Sequence, residues 1–136
     1  MRFMTIYKPG YESTSQPTEE QMAAMGKLIG DMAKAGTLVM TDGLQHSSKG
    51  ARVSINSDGS FKVVDGPFTE AKEIIGGYAI INAKSKAEAI ELTKTFLRVM
   101  GEGESEIRQM QDEPAFDSRS VAQSANAGQR STQAAR

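Results

Sequence analysis

Apolar residues along the chain keep two different periods. From Phe3 to Tyr7 they alternate, with Met4 and Ile6 on one side and Phe3, Thr5 and Tyr7 on the other, which predicts a strand that Pro9-Gly10 ends. Met22, Met25, Ile29 and Met32 then recur at helical spacing, behind a Thr18/Gln21 capping box and ahead of Gly36, which stops the helix. Leu38 to Thr41 is a short second strand. Arg52 to Asn56 and Phe61 to Val64 flank Asp58-Gly59, the turn chemistry of a hairpin. Gly76 to Ala83 is a further apolar strand, and Ser85 with Glu88 forms a second capping box. Ile90, Thr93, Leu97 and Met100, widened by Ala89 and Phe96, give the second helix an inward stripe that Gly101 closes, and Glu104 to Met110 is the last strand.

Strand, helix, strand, hairpin, strand, helix, strand is the split βαβ order. It predicts an α+β, ferredoxin-like βαββαβ domain with an inserted β-hairpin and an antiparallel sheet carrying both helices on one face. The opposite face then needs a cover, because Phe3, Tyr7, Tyr78 and Ile80 cannot all point at two helices. A second copy supplies one, so the expected state is a homodimer with sheets face to face around a cleft.

Composition sets the limits. A chain of 136 residues is one domain by length, and 38% hydrophobic with 24% charged residues is a globular mixture. A net charge of −1 and the lack of any basic run give no attraction for nucleic acid or anionic lipid. No apolar run approaches the roughly 20 residues of a membrane span. The start, Met1 to Lys8, is too interrupted for the apolar core of a signal peptide. The absence of cysteine excludes disulfides and thiolate metal sites and fits the cytoplasm. The folded domain is expected over residues 1–113. Residues 114–136, rich in Ser, Ala, Gln and Arg, have too few apolar groups to offset the entropy of ordering and read as a tail.

Candidate chemistry gathers where the hairpin ends. In Asp65-Gly66-Pro67-Phe68, Pro67 holds Gly66 out of the helical region and turns the chain sharply, leaving the Asp65 carboxylate at a strand end. Asp65 is thus a candidate general base or the first residue of an Asx turn, two roles that can coexist. Glu70 and Glu73, three apart with Lys72 between, are candidate ligand contacts or a solvated charged turn. His46 is the sole histidine and would carry any imidazole chemistry, paired with Asp65 or Asp42, unless it is an exposed loop residue. Ser47, Ser48, Lys49 and Arg52 could bind a small anion. One histidine without cysteine nearly excludes a nitrogen and sulfur metal site, no cofactor is implied, and no Gly-x-Ser-x-Gly elbow supports a serine nucleophile. Gly76-Gly77 reads as close backbone approach or a bulge.

The string from Asp65 to Glu73, followed by Gly76-Gly77-Tyr78 and with weaker agreement at Gly43-Leu44-Gln45, resembles the signature of the DGPF branch of the YCII-related proteins. The resemblance runs from about Phe3 to Met110, with Thr69 and Ala71 standing where the family often has alanine and threonine. It implies a dimeric α/β barrel. It also implies a small molecule bound in a cleft at the dimer interface, lined by Asp65, Glu70, Lys72 and His46, with proton-transfer or lyase/hydrolase chemistry, since distant relatives of this barrel act on cyclic lactones. Relatives often carry proline at the position of His46, which weakens a shared role for that imidazole. Some members occur beside sigma-factor-like regulators, so a non-catalytic regulatory module associated with a sigma factor is the alternative.

Overall fold

The protein is described by a computed structural model over residues 1–13 and 15–112. Its elements are β1 (Arg2–Lys8), α1 (Glu19–Lys34), β2 (Leu38–Gly43), β3 (Ala51–Ile55), β4 (Phe61–Asp65), β5 (Gly77–Asn82), α2 (Lys86–Met100) and β6 (Glu104–Gln109), with short 3₁₀ turns at Ser47–Lys49 and Ala71–Glu73. The main sheet has the order β2-β5-β1-β6, and all its pairings are antiparallel. This is the ferredoxin-like arrangement, with β3 and β4 forming a separate two-stranded sheet. No helix among the described residues is long and apolar enough to cross a membrane. The expected tail at 114–136 lies outside the described residues.

Local chemistry sets the ends of the helices. Thr18 caps α1 in a full box: its hydroxyl accepts from Gln21 N at 3.1 Å, and the Gln21 side chain accepts from Thr18 N at 3.1 Å. The second box is shifted. Ser85 accepts from Glu88 N at 3.2 Å, but the Glu88 carboxylate reaches Lys84 N, one residue earlier than expected. Gly101 ends α2 in the left-handed region at φ 78, and Gly59 turns the hairpin at φ 89, both conformations open to glycine.

Strand register decides which residues meet the helices. Phe3 lies opposite Ile81, Thr5 opposite Ala79 and Ile107, and Tyr7 opposite Gly77, so these share a face. That face is the covered one: Phe3, Ile81, Ala83 and Ala89 form the core, with Met32, Leu38 and Leu92 packed against it. Phe3 and Tyr7 therefore point at the helices, and the Tyr7 ring meets Phe96 edge-on at 5.3 Å. The four residues expected not to share the helix-covered face, Phe3, Tyr7, Tyr78 and Ile80, are thus divided between the two faces. The open face carries the other parity, Met4, Ile6, Tyr78 and Ile80, joined by Met40 through a bulge at Val39. Alternation fixes which residues share a side but not which side the helices take. On α2 the buried residues are Ala89 and Thr93, whereas Ile90, expected inside, is exposed.

Candidate functional site

The helices and the sheet close on each other at one end only. At the Phe3 end, Phe3, Ile81, Ala83 and Ala89 pack together, and Leu38 and Met32 border both this core and the space beyond it. Toward the Tyr7 end the sheet offers only small residues beside Tyr7, namely Thr5, Thr41, Gly43, Gly77 and Ala79. A cavity of about 440 Å³ results, walled by Met25, Leu28, Ile29 and Met32 of α1 and by Leu92, Phe96 and Met100 of α2. None of the residues of α1 is buried, although its apolar stripe faces inward. The volume falls within the roughly 300–1,000 Å³ usual for small-molecule pockets. Glycine is required at the floor, because a Cβ on Gly77 would stand 2.8 Å from the Asp42 carbonyl oxygen.

Tyr7 forms one wall of this cavity and is held from behind. Its hydroxyl donates to the Glu102 carbonyl at 2.9 Å and lies 3.2 Å from the Glu102 carboxylate, which also accepts from Gly10 N at 3.0 Å. Burial, with the Glu102 charge beside it, pushes the Tyr7 hydroxyl up to about 12. Gly103, at φ 95, lets the chain pass against the ring, where a Cβ would come within 2.7 Å of Tyr7 Cε2.

A second concavity of about 310 Å³ lies among the loops, lined by Glu12, Leu44, His46, Ser47, Phe68 and Glu73 with their neighbours. The Glu12 carboxylate accepts from Ser47 N at 2.8 Å and from the Ser47 hydroxyl at 2.7 Å, and it lies 3.2 Å from His46 Nε2. The Ser47 hydroxyl, above all, holds the Glu12 carboxyl below the usual glutamate range. His46 Nδ1 accepts from Ser48 N at 3.1 Å, which assigns the ring proton to Nε2, facing Glu12. The imidazole N–H and the carboxylate thus hold each other in place at the cleft wall.

The Asp65-Gly66-Pro67-Phe68 turn is docked beneath this cleft. A Cβ on Gly66 would overlap the Ser47 carbonyl oxygen, Gly66 N donates to Gly50 O at 2.9 Å, and Phe68 N donates to the Ser47 hydroxyl at 2.9 Å. The Gly66-Pro67 peptide is cis. The Arg52 guanidinium lies 3.7 Å from the centre of the Phe68 ring and pairs with Glu73 at 3.1 Å. The motif thus ties the hairpin base to the loop that bears His46.

Among the residues proposed from sequence, His46 and Glu73 line the loop cleft, and Arg52 reaches it through Phe68 and Glu73. Asp65, Glu70 and Lys72 are exposed and line neither concavity, and among the described residues His46 is paired with Glu12 rather than Asp65 or Asp42. Glu12 had no local mark: it lies in the polar stretch Tyr11–Ser15 and meets its partners across 35 residues. No group of acidic and histidine side chains among the described residues is arranged to hold a metal ion.

The fold and its cavity define a small ferredoxin-like α+β domain with an internal apolar space. A family model, the YCII-related domain, matches residues 1–111, and the chain belongs to that family. No curated protein matches the sequence.

Proposed function

We propose that this YCII-related protein binds a small molecule in the cavity between α1, α2 and the Tyr7 end of the sheet. The observation that carries the reading is a helix of 16 residues with none buried, standing over a space of about 440 Å³. An amphipathic helix gains its stability by burying its apolar stripe, and a bound molecule completes that burial. Methionine methyl resonances give a direct test, since Met25, Met32 and Met100 line the cavity while Met4 and Met40 lie across the sheet. Titration with mixtures of small organic compounds should move the first three. Shifts confined to Met4 and Met40, or none at all, would remove the proposal.

A catalytic reading rests on the Glu12–His46 pair in the loop cleft. In it, the Glu12 carboxylate takes a proton from a substrate held near Glu73, the His46 N–H orients that carboxylate, and Arg52 fixes the cleft through Phe68. Glu12→Gln and His46→Ala should then each abolish turnover of any lactone substrate found by screening, while Asp65→Asn retains it. Full activity in both of the first two variants would end this reading.

The apolar open face, with Met4, Ile6, Tyr78 and Ile80, supports a homodimer joined sheet to sheet. Light scattering at micromolar concentration that returned the mass of one chain would refute it. The Asp65 to Glu73 string supports placement in the DGPF branch, which an alignment of close relatives lacking Gly66 would undo. The hairpin, with Val53 66% and Phe61 69% exposed, favours a surface for a protein partner as the non-catalytic alternative. If a sigma factor were that partner, Phe61→Ser should weaken its capture. The lack of cysteine suits a cytoplasmic protein, a reading that fractionation would settle.

A further inference from the structure

We infer that the ligand of the helix–sheet cavity is an uncharged, predominantly apolar molecule, an inference that rests on the binding site just proposed and names the chemistry it selects. The hydroxyls of Thr5, Tyr7, Thr41 and Thr93 in the wall are each already directed at a backbone carbonyl. The Thr93 hydroxyl donates to Ala89 O at 2.7 Å, the Thr41 hydroxyl to Tyr78 O at 3.0 Å and the Tyr7 hydroxyl to Glu102 O at 2.9 Å. Thr5 turns its hydroxyl toward Ala79 O at 3.5 Å.

The backbone at the mouth is equally engaged. Gly76 N donates to Tyr7 O at 2.8 Å, and Gly76 O accepts from Leu44 N at 2.9 Å. Asp42 supplies the only ionisable carboxylate among the lining residues. It pairs with Tyr78, one position out of phase with Thr41, so alternation turns its side chain to the open face. A ligand with a charged group would lose its hydration and meet neither a counter-charge nor a free donor, whereas an apolar body meets thioethers and aromatic edges. The wall residues Met25, Met32 and Met100 are unbranched and can adapt to ligand shape, so selection acts on polarity more than on outline.

The test compares three ligands of one chain length on the full protein at neutral pH: 1-octanol, octanoate and octylammonium, followed by the Met25, Met32 and Met100 methyl resonances. Octanol should bind at least about tenfold more tightly than either ion, a difference of about 1.4 kcal/mol. Leu28→Trp, which places a large ring in the cavity from a helix without buried residues, should abolish the octanol shifts while far-ultraviolet circular dichroism is retained. Equal affinity for all three ligands, or preference for an ion, overturns the polarity assignment and leaves the binding site standing. Failure of all three to move the cavity methyls removes the site itself. Should Leu28→Trp unfold, Met25→Trp from the same wall replaces it, and undiminished octanol binding in the folded variant overturns the inference.

Discussion

The two ends of the main sheet are built on the same strands and the same pairings, yet one is packed and the other is hollow. At the Phe3 end, Phe3 is 1% exposed and meets Ile81, Ala89 and Met32 across the layer. Three or four residues along the same strands, Tyr7 faces Gly77, and Thr41 and Gly43 lie on the neighbouring strand. Sheet geometry is common to both ends, so the difference is one of side-chain volume. Where large residues stand on the sheet they fill the layer, and where glycine and threonine stand there a space is left beneath α1. One end of the domain holds the fold and the other leaves room.

Phe3→Ala should strike the packed end hardest. Truncation of a fully buried aromatic leaves a void in a packed layer and should cost about 3–5 kcal/mol, read as the shift in the urea midpoint. Leu28→Ala at the hollow end removes a side chain that already borders open space, and it should cost under about 1.5 kcal/mol. Equal losses would mean that the hollow end is as closely packed as the other.

Gly66→Ala comes next. The added methyl would overlap the Ser47 carbonyl oxygen, and backbone on both sides leaves little room to yield, so a destabilisation of about 1–3 kcal/mol is expected. The same change should disturb the loop cleft, seen as a shift of the His46 ring resonances. It should leave the cavity methyls of Met25 and Met100 in place.

These two positions also show what the sequence could and could not disclose. The elements were legible because their marks are local: Thr18 and Gln21 at the start of α1, Gly101 at the end of α2, Asp58-Gly59 between β3 and β4. Gly76-Gly77 was legible as close backbone approach, which the distance from a Gly77 Cβ to Asp42 O confirms. The side of the sheet taken by the helices was not, because the alternation of Phe3, Thr5 and Tyr7 fits either face equally. Nor was the cavity, which arises from residues too small to fill a layer whose thickness is set elsewhere, by Phe3 and Ile81. Glu12 was missed because its role depends on two loops meeting.

Tyr7 offers a smaller effect with a distinctive pH dependence. Tyr7→Phe removes the bond to Glu102 and should cost about 1 kcal/mol at neutral pH. Because the folded-state value is raised from 10.0 to about 12, the native protein keeps the Tyr7 proton where the unfolded chain has released it. The stabilisation is therefore fully present below pH 10 and is lost as pH rises toward 12. The stability difference between wild type and Tyr7→Phe should shrink over that interval. A difference that stayed constant would show that the hydroxyl ionises as it would in water, and one that grew would show a value lowered by folding.

The finest test concerns α1, which roofs the hollow end while carrying Gly26 and Gly30 in its interior. Each glycine leaves the helix about 1 kcal/mol less favourable than alanine would, and a Cβ at either position would meet nothing within 4 Å. Gly26→Ala and Gly30→Ala should thus each stabilise the protein by about 0.4–1 kcal/mol, measured by chemical denaturation. The gain comes from the unfolded chain and from helix propensity, not from new contacts, so the two should add. Their effect on the cavity separates two accounts of the missing packing. If α1 stands off the sheet because the residues below it are small, the alanine variants will be more stable and bind octanol as the wild type does. If a weak helix is what leaves the space, strengthening α1 will draw it inward, and octanol affinity will fall as stability rises.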